Sequence, residues 1–181
     1  LDPSMSDDIY CSLWDGKIQA QGINPYALPP NHPHLAAYRD AIIHPFINHP
    51  QFRTVYPALA QILFAASHWL HPKGFLGLKA LLLLAELCTM LLLSFWLRKK
   101  GLPLGRLLLY AWCPLPIFEI MLEGHLDAFA LPFLVGALLA LRDWKPWTAG
   151  VMLAMGVLIK PLGLFICPMF FWRFRWRPSF K

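Results

Sequence analysis

Charge is scarce in this sequence. Asp, Glu, Lys and Arg make up 14% of 181 residues, against 57% hydrophobic and 14% aromatic, and the mean hydropathy is +0.49. A soluble domain carries about 25% charged residues, because it must cover itself with them. A free-standing soluble globule is therefore excluded, and a chain embedded in a membrane is expected. Cysteine is thin as well. Cys11, Cys88, Cys113 and Cys167 show no paired spacing and three lie inside apolar runs, so neither a disulfide framework nor a cysteine metal site is implied. Cys11 alone falls in polar sequence and reads as a free thiol. An initiator Met and a signal peptide are lacking too; the opening Leu1-Asp2-Pro3 is already polar, and a membrane-spanning segment is expected to precede it.

What charge there is lies unevenly. Residues 1–57 hold five of the ten acids (Asp2, Asp7, Asp8, Asp15, Asp40) but only Lys17, Arg39 and Arg53 of the sixteen basic residues. The remainder carries a surplus of eight positive charges, clustered beside apolar runs. That pattern is one of membrane topology and not of a nucleic-acid-binding face, where basic residues would line one surface.

Residues 1–55 are rich in Pro, Asn, His and Asp, with turns signalled at Gly22-Ile23-Asn24-Pro25 and Pro29-Pro30-Asn31. Ile9, Leu13 and Ile18 recur at helical spacing and predict a short helix from about Asp8 to Gln21; a second is expected over Leu35 to Ile43. Tyr56 to Leu70 is apolar but spans only roughly 22 Å as a helix, short of a ~30 Å hydrocarbon core. Ending at Trp69 and His71-Pro72, it reads as a helix lying at the membrane surface. Gly74 to Leu97 is long enough to span and closes on Arg98-Lys99-Lys100, which puts that end in the cytoplasm and residues 1–73 outside. Leu104 to Leu122, kinked at Pro114 and Pro116, and Leu126 to Leu141, ending at Arg142-Asp143-Trp144-Lys145, complete three expected spans. Trp147 to Trp172 is interrupted by Lys160-Pro161 and flanked by Lys145, Arg173, Arg175 and Arg177. A re-entrant hairpin with its apex at Lys160-Pro161 keeps both ends inside, whereas a straight span would put three arginines outside. The expected fold class is thus an all-α polytopic membrane protein: an extracytoplasmic loop with short surface helices over 1–55, an interfacial helix and connection over 56–73, and a transmembrane region over 74–181.

Candidates for chemistry are few. Asp7-Asp8, followed by Ile9-Tyr10, offers a carboxylate near a membrane surface that can deprotonate a sugar hydroxyl; by spacing alone the pair reads first as a solvated cap of the helix starting near Asp8. Glu119, Glu123 and Asp127 fall at i, i+4 and i+8 with His125 between, an acidic stripe that Gly124 is expected to interrupt. Acids at membrane depth usually face an interior or a water-filled cavity, so Glu123 and His125 are pocket candidates, and Glu119 can also be a neutral acid holding helices together. His125 and Asp127 have a metal-like spacing but no third ligand. Lys160, at the break made by Pro161, can offer a cation to a lipid phosphate or form a salt bridge with Glu86 or Glu119. Glu86 and Lys79 read as structural. His44, His49, Arg53 and Tyr56 cluster where the loop meets the surface helix; no metal spacing is present, and Arg53 can contact a phosphate.

The stretches SDDIYCSLWDGKIQAQGINPYALPP and INHPQFRTVYPALAQILFA, then EGHLDAFALPFLVGALLAL and GVLIKPLGLFICP, resemble the GT-C superfamily of integral membrane glycosyltransferases, in particular bacterial mannosyltransferase-like members. The likeness runs in order along the whole chain and is strongest in the loop. It implies a polyprenyl-phosphate-linked sugar as donor, mannose first, a glycan or glycolipid acceptor, membrane lipids as surroundings, and no cofactor or metal. It also implies an acidic pair just after a first transmembrane helix, with Asp7 as catalytic base and Asp8 as the second candidate. Tyr10, His49, Arg53, Tyr56, Glu123, His125, Asp127 and Lys160 are then the substrate-binding candidates, and the reaction an inverting displacement. The sequence departs from that pattern at Cys11-Ser12, in place of an aromatic-basic step, and at Arg53, in place of a proline. Two other readings stay open: a relative moving arabinose or glucose, or a transporter or flippase of lipid-linked intermediates, in which broken helices and midplane charges also occur. A transporter has no need of a paired acid at the outer surface.

Overall fold

The computed structural model describes residues 6–72 and 74–175, and every regular element among them is helical. The first helix, α1 (Asp8–Ala20), buries the apolar face formed by Ile9, Leu13, Trp14 and Ile18. The expected helix from Asp8 is therefore present almost residue for residue. The second expected helix, over Leu35 to Ile43, is only a 3-10 turn at Pro33–Tyr38 followed by another at His44–Phe46. The reason is local. The Asp40 carboxylate accepts the backbone N–H groups of Ile42 and Ile43 at 2.7 and 2.6 Å, a turn that competes with helix formation. Lys17 ties the same carboxylate to α1 at 2.6 Å.

Helix α2 (Ala58–Leu70) crosses α1 at close range, since a Cβ built on Gly16 would stand 2.2 Å from the Phe64 carbonyl oxygen. Its inner face is Ala60, Gln61, Phe64 and Ser67, while Ile62, Trp69 and Leu70 are exposed. The first N–H groups of α2 are not left open: Leu59 and Ala60 donate to the Leu158 carbonyl at 3.0 and 3.4 Å. Helix α3 (Leu76–Lys99) follows, 24 residues long, or roughly 36 Å at ~1.5 Å per residue. It is the one helix among the described residues long and apolar enough to cross a membrane.

Beyond α3 the expected layout changes. Leu104 to Leu122 is a broken pair: a 3-10 turn running into α4 (Leu108–Ala111), then a π-helical segment Pro116–Leu122, bent by 59°. Pro114 and Pro116 lack the N–H groups that would continue the ladder, and their rings clash with the preceding turn. Helix α5 (Asp127–Arg142) has 16 residues, about 24 Å and so short of a ~30 Å core. The three expected spans are thus one clear span, two if the bent pair counts as one. Helix α6 (Pro146–Val157) packs on α5, and the chain breaks at Lys160-Pro161 as expected. A 3-10 turn, Pro161–Ile166, leads into α7 (Cys167–Arg175). Here the chain doubles back. Gly163 abuts Val157 and Leu153, and Phe170 joins Ala140, Leu141 and Ala149 in one cluster at the far end of α5 and α6. Arg177, one of the flanking charges, lies outside the described residues, as does Leu1-Asp2-Pro3.

One hydrophobic core joins the loop to the helices. Ile9, Leu13, Ile18, Leu35, Ile43, Phe64, Leu78, Leu82, Leu126 and Phe129 form a single cluster. Far from it, Lys99 pairs with Asp143, so the basic ends of α3 and α5 lie together.

Candidate active site

Four pieces of chain meet at the N-terminus of α1: the turn from Glu123 to Asp127, the loop from Asn48 to Tyr56, the break at Lys160, and α1 itself. Asp7 occupies the N-cap position but makes no capping hydrogen bond, so the structural use of this acid is not taken up. It is exposed, as is Asp8. Asp8 accepts a hydrogen bond from Asn48 Nδ2 at 2.8 Å, which ties the loop to the first turn of α1.

The turn after the π-helical segment is pressed onto the same place. Gly124 has φ +76°, and a Cβ there would lie 2.5 Å from Ile9 Cδ1; only glycine takes this conformation at this distance without strain. The neighbours of Gly124 then reach forward. Buried Glu123 accepts the Ser6 N–H at 2.9 Å. His125 bridges Glu119 (2.8 Å from Nδ1) and the Ser6 hydroxyl (3.2 Å from Nε2). Lys160 donates to Asp127 at 2.6 Å. The salt bridge proposed from sequence, to Glu86 or Glu119, is thus corrected to Asp127, because the break at Pro161 brings Lys160 to the first turn of α5. Glu86 instead accepts the Tyr110 hydroxyl at 2.8 Å, and Lys79 sits over the Phe75 ring.

Asp8 lines two cavities. A narrow cleft of about 30 Å³ is lined by Asp8, Ser12, Tyr56, His125 and Lys160. A larger cavity of about 260 Å³ is lined by Asp8, Asp15, Asn48, His49, Arg53 and Tyr56, with aromatic walls. Of the sequence candidates, Asp8, Tyr56, His49, Arg53, His125 and Lys160 therefore share this region, with Glu123 and Asp127 holding it from behind. Asp7 adjoins Asp8 but lines neither cavity. Tyr10 is placed elsewhere: its ring stacks on Phe46 at 5.0 Å and meets Phe75 edge-on at 5.4 Å, in the core. His44 packs against Trp14 at 5.4 Å and lines neither cavity. Among the described residues no three His, Cys, Asp or Glu side chains gather to hold a metal ion; His125 and Asp127 are drawn apart, to Glu119 and Lys160.

The electrostatics distinguish the groups. Burial pushes the Cys11 thiol up to about 12, helped by the charges of Asp15 and Asp8, so it is no nucleophile at neutral pH. Burial likewise raises the Tyr56 phenol, with Asp8 adding to it, which leaves Tyr56 a neutral donor. Asp15, which the sequence reading did not single out, is raised from 3.8 to about 6 by burial, against hydrogen bonds from Thr54 and Gln61. Its native carboxyl holds a proton more tightly than the unfolded one. The stability this brings is complete below 3.8 and is lost as pH rises through about 6. The melting temperature of the wild type relative to Asp15→Asn is therefore expected to fall across that window; a constant difference would show that the carboxyl is not buried. Asn48 and Asp15 were both missed. Asp15 carried a signal, since Asp8, Cys11 and Asp15 stand at i, i+3 and i+7 on one helical face; Asn48 carried none.

Comparison with known proteins bears on residues 54–180, which match glycosyltransferase family 87. The matched segment contains Tyr56, Glu123, His125, Asp127 and Lys160 but begins after Asp7-Asp8. No curated protein and no solved structure matches the chain. The match takes in most of the chain, together with the turn and the break that bring His125 and Lys160 to α1, and the chain belongs to glycosyltransferase family 87.

Proposed function

We propose that this glycosyltransferase is of the GT-C type and moves a sugar, mannose first, from a polyprenyl-phosphate donor to a glycan or glycolipid acceptor on the outer side of the cell membrane. The observation that carries the reading is the meeting of Asp8, His125 and Lys160 in one cleft, on a chain that also has an apolar groove along α5, the helix that Asp127 begins. That groove, about 420 Å³, runs between α3 and α5 past Leu81, Leu84, Phe129, Pro132 and Phe133. It starts within a turn of Asp127, the partner of Lys160. A donor with a charged head and a hydrocarbon tail suits this arrangement: phosphate by Lys160, prenyl chain along α5. The basic ends of α3 and α5, beside the Lys99–Asp143 pair, lie at the opposite end of those helices, which supports a cytoplasmic placing for them and an outer one for the site.

The reaction is an inverting displacement. The acceptor hydroxyl oxygen attacks the anomeric carbon and its proton passes to Asp7, whose carboxylate is not engaged in capping. The bond from that carbon to the phosphate oxygen breaks, and polyprenyl phosphate leaves with the electron pair. Phosphate is already a good leaving group, so a cation beside the departing oxygen suffices to offset the developing charge; Lys160 fills that place, with Arg53 exposed nearby.

The test is transfer by the full-length gene product in nanodiscs, with labelled polyprenyl-phosphate-mannose and a panel of glycolipid acceptors. Labelled product supports the reading. Donor binding without transfer moves the sugar to glucose or arabinose, tested next with those donors, and failure with all three leaves a transporter of lipid-linked intermediates. Lys160→Gln is expected to reduce kcat/KM for the donor about 10- to 100-fold, the scale of one charge-assisted hydrogen bond. Unchanged donor kinetics in that variant would transfer the phosphate contact to Arg53.

A further inference from the structure

We infer that the cavity of about 260 Å³ beside Asp8 is a binding site for one sugar ring of the acceptor, and that Asp15 on its wall recognises that ring's hydroxyl groups. The inference rests on the glycosyl-transfer reading for the word acceptor, but the sugar site itself stands on the cavity.

Size comes first. At about 260 Å³ the cavity has room for a monosaccharide ring. Its chemistry is mixed in the way a sugar ring is mixed. Trp14, Phe52 and Tyr56 supply apolar walls for C–H faces, and Asp15, Asn48, His49 and Arg53 supply acceptors and donors for hydroxyls. The apolar groove along α5 offers nothing of the second kind.

Asp15 is the residue that a purely structural account leaves over. It is 5% exposed, and a carboxylate so buried is costly unless paired. Its partners are neutral: Gln61 Nε2 donates to its Oδ2 at 2.7 Å, Thr54 adds a second hydrogen bond, and no salt bridge to it exists among the described residues. An asparagine would hold the same neighbours without the cost of a charge. The carboxyl is also held firmly. Gln61 Nε2 donates to Thr54 Oγ1 at 2.9 Å as well, and Gln61 Oε1 accepts from Gln19 at 2.7 Å. A carboxylate has about four lone-pair sites, so two hydrogen bonds leave acceptor capacity toward the cavity it lines. The placing is right for an acceptor. Asp8 and Tyr56 form a wall of both spaces, so a ring seated here adjoins the Lys160 cleft, where the donor phosphate is placed.

The probe is the methyl glycoside of mannose, with those of glucose and arabinose beside it, titrated into the full-length protein in nanodiscs and read by saturation-transfer NMR. At least one is expected to bind, with affinity falling about 10-fold or more in Asp15→Asn. Phe52→Ala, at an exposed position that leaves the core untouched, is expected to weaken binding several-fold, and it decides the matter should Asp15→Asn misfold. Among monodeoxy analogues, the one lacking the hydroxyl that Asp15 holds is expected to bind wild type and Asp15→Asn alike. A residue that merely supports the fold would not select one hydroxyl. Wild-type affinity in both variants, or equal loss for every deoxy analogue, overturns the sugar site and leaves the transferase reading untouched. Loss of glycoside binding in the variants of a protein that transfers nothing overturns the transferase reading and keeps the sugar site.

Discussion

Asp7→Asn is expected to lower sugar transfer by about 10²- to 10⁴-fold, the usual worth of a positioned general base, while donor binding and the fold are retained. The amide has the size of the acid but cannot take the proton that the acceptor hydroxyl gives up. Structural loss is expected to be small, because Asp7 sits at the N-cap of α1 without making a capping hydrogen bond. Asp8 is a different case. Its carboxylate is engaged by Asn48 at 2.8 Å and lines both cavities, so Asp8→Asn is expected to keep most of its turnover and to weaken substrate binding. The measurement is turnover at saturating donor and acceptor for the two variants in parallel, with donor binding as the control. Wild-type turnover in Asp7→Asn removes it as the base; if Asp8→Asn is then the inactive one, the base is the carboxylate that lines the cavities.

Local periodicity told much of the fold. Ile9, Leu13 and Ile18 marked one buried face of α1, the apolar run closing on Arg98 and Lys99 became α3, and Lys160-Pro161 broke the last run where the proline removes a donor. Such signals are read within a few residues of chain. The site depends on pairs far apart: Asp8 with Asn48, Asp15 with Gln61, Lys160 with Asp127. A helical repeat says which residues share a face but not what stands across from it. Lys160 was therefore recognised as an expensive charge and given the wrong partner. The bend at Pro114 and Pro116 was legible as a kink, but its angle of 59° was not.

The seat of α1 decides whether any of these groups meet, and Gly16 sets that seat. Gly16→Ala is expected to cost about 3 kcal/mol or more, at the upper end of overpacking changes. The added Cβ would lie 2.2 Å from the Phe64 carbonyl oxygen and 2.8 Å from its carbon. Both are backbone atoms inside α2, so no side chain can turn aside and the two helices must separate. Separation opens the core where Ile9, Leu13 and Ile18 meet Ala60 and Phe64. The intrinsic helical preference for alanine, ~1 kcal/mol, is too small to offset this. Gly150→Ala in α6 is the matched control, since nothing lies within 4 Å of its Cβ position, and it is expected to leave the melting temperature unchanged or raise it. Equal melting temperatures for the two variants would mean that α1 does not rest on α2 as described. The effect also reaches the chemistry: Asp7, Asp8 and Asp15 all ride on α1 or its N-cap, whereas His125 lies in the turn before α5 and Lys160 at the break after α6. Gly16→Ala is therefore expected to depress transfer even in the fraction that remains folded, by moving the acids away from the cation rather than by removing either.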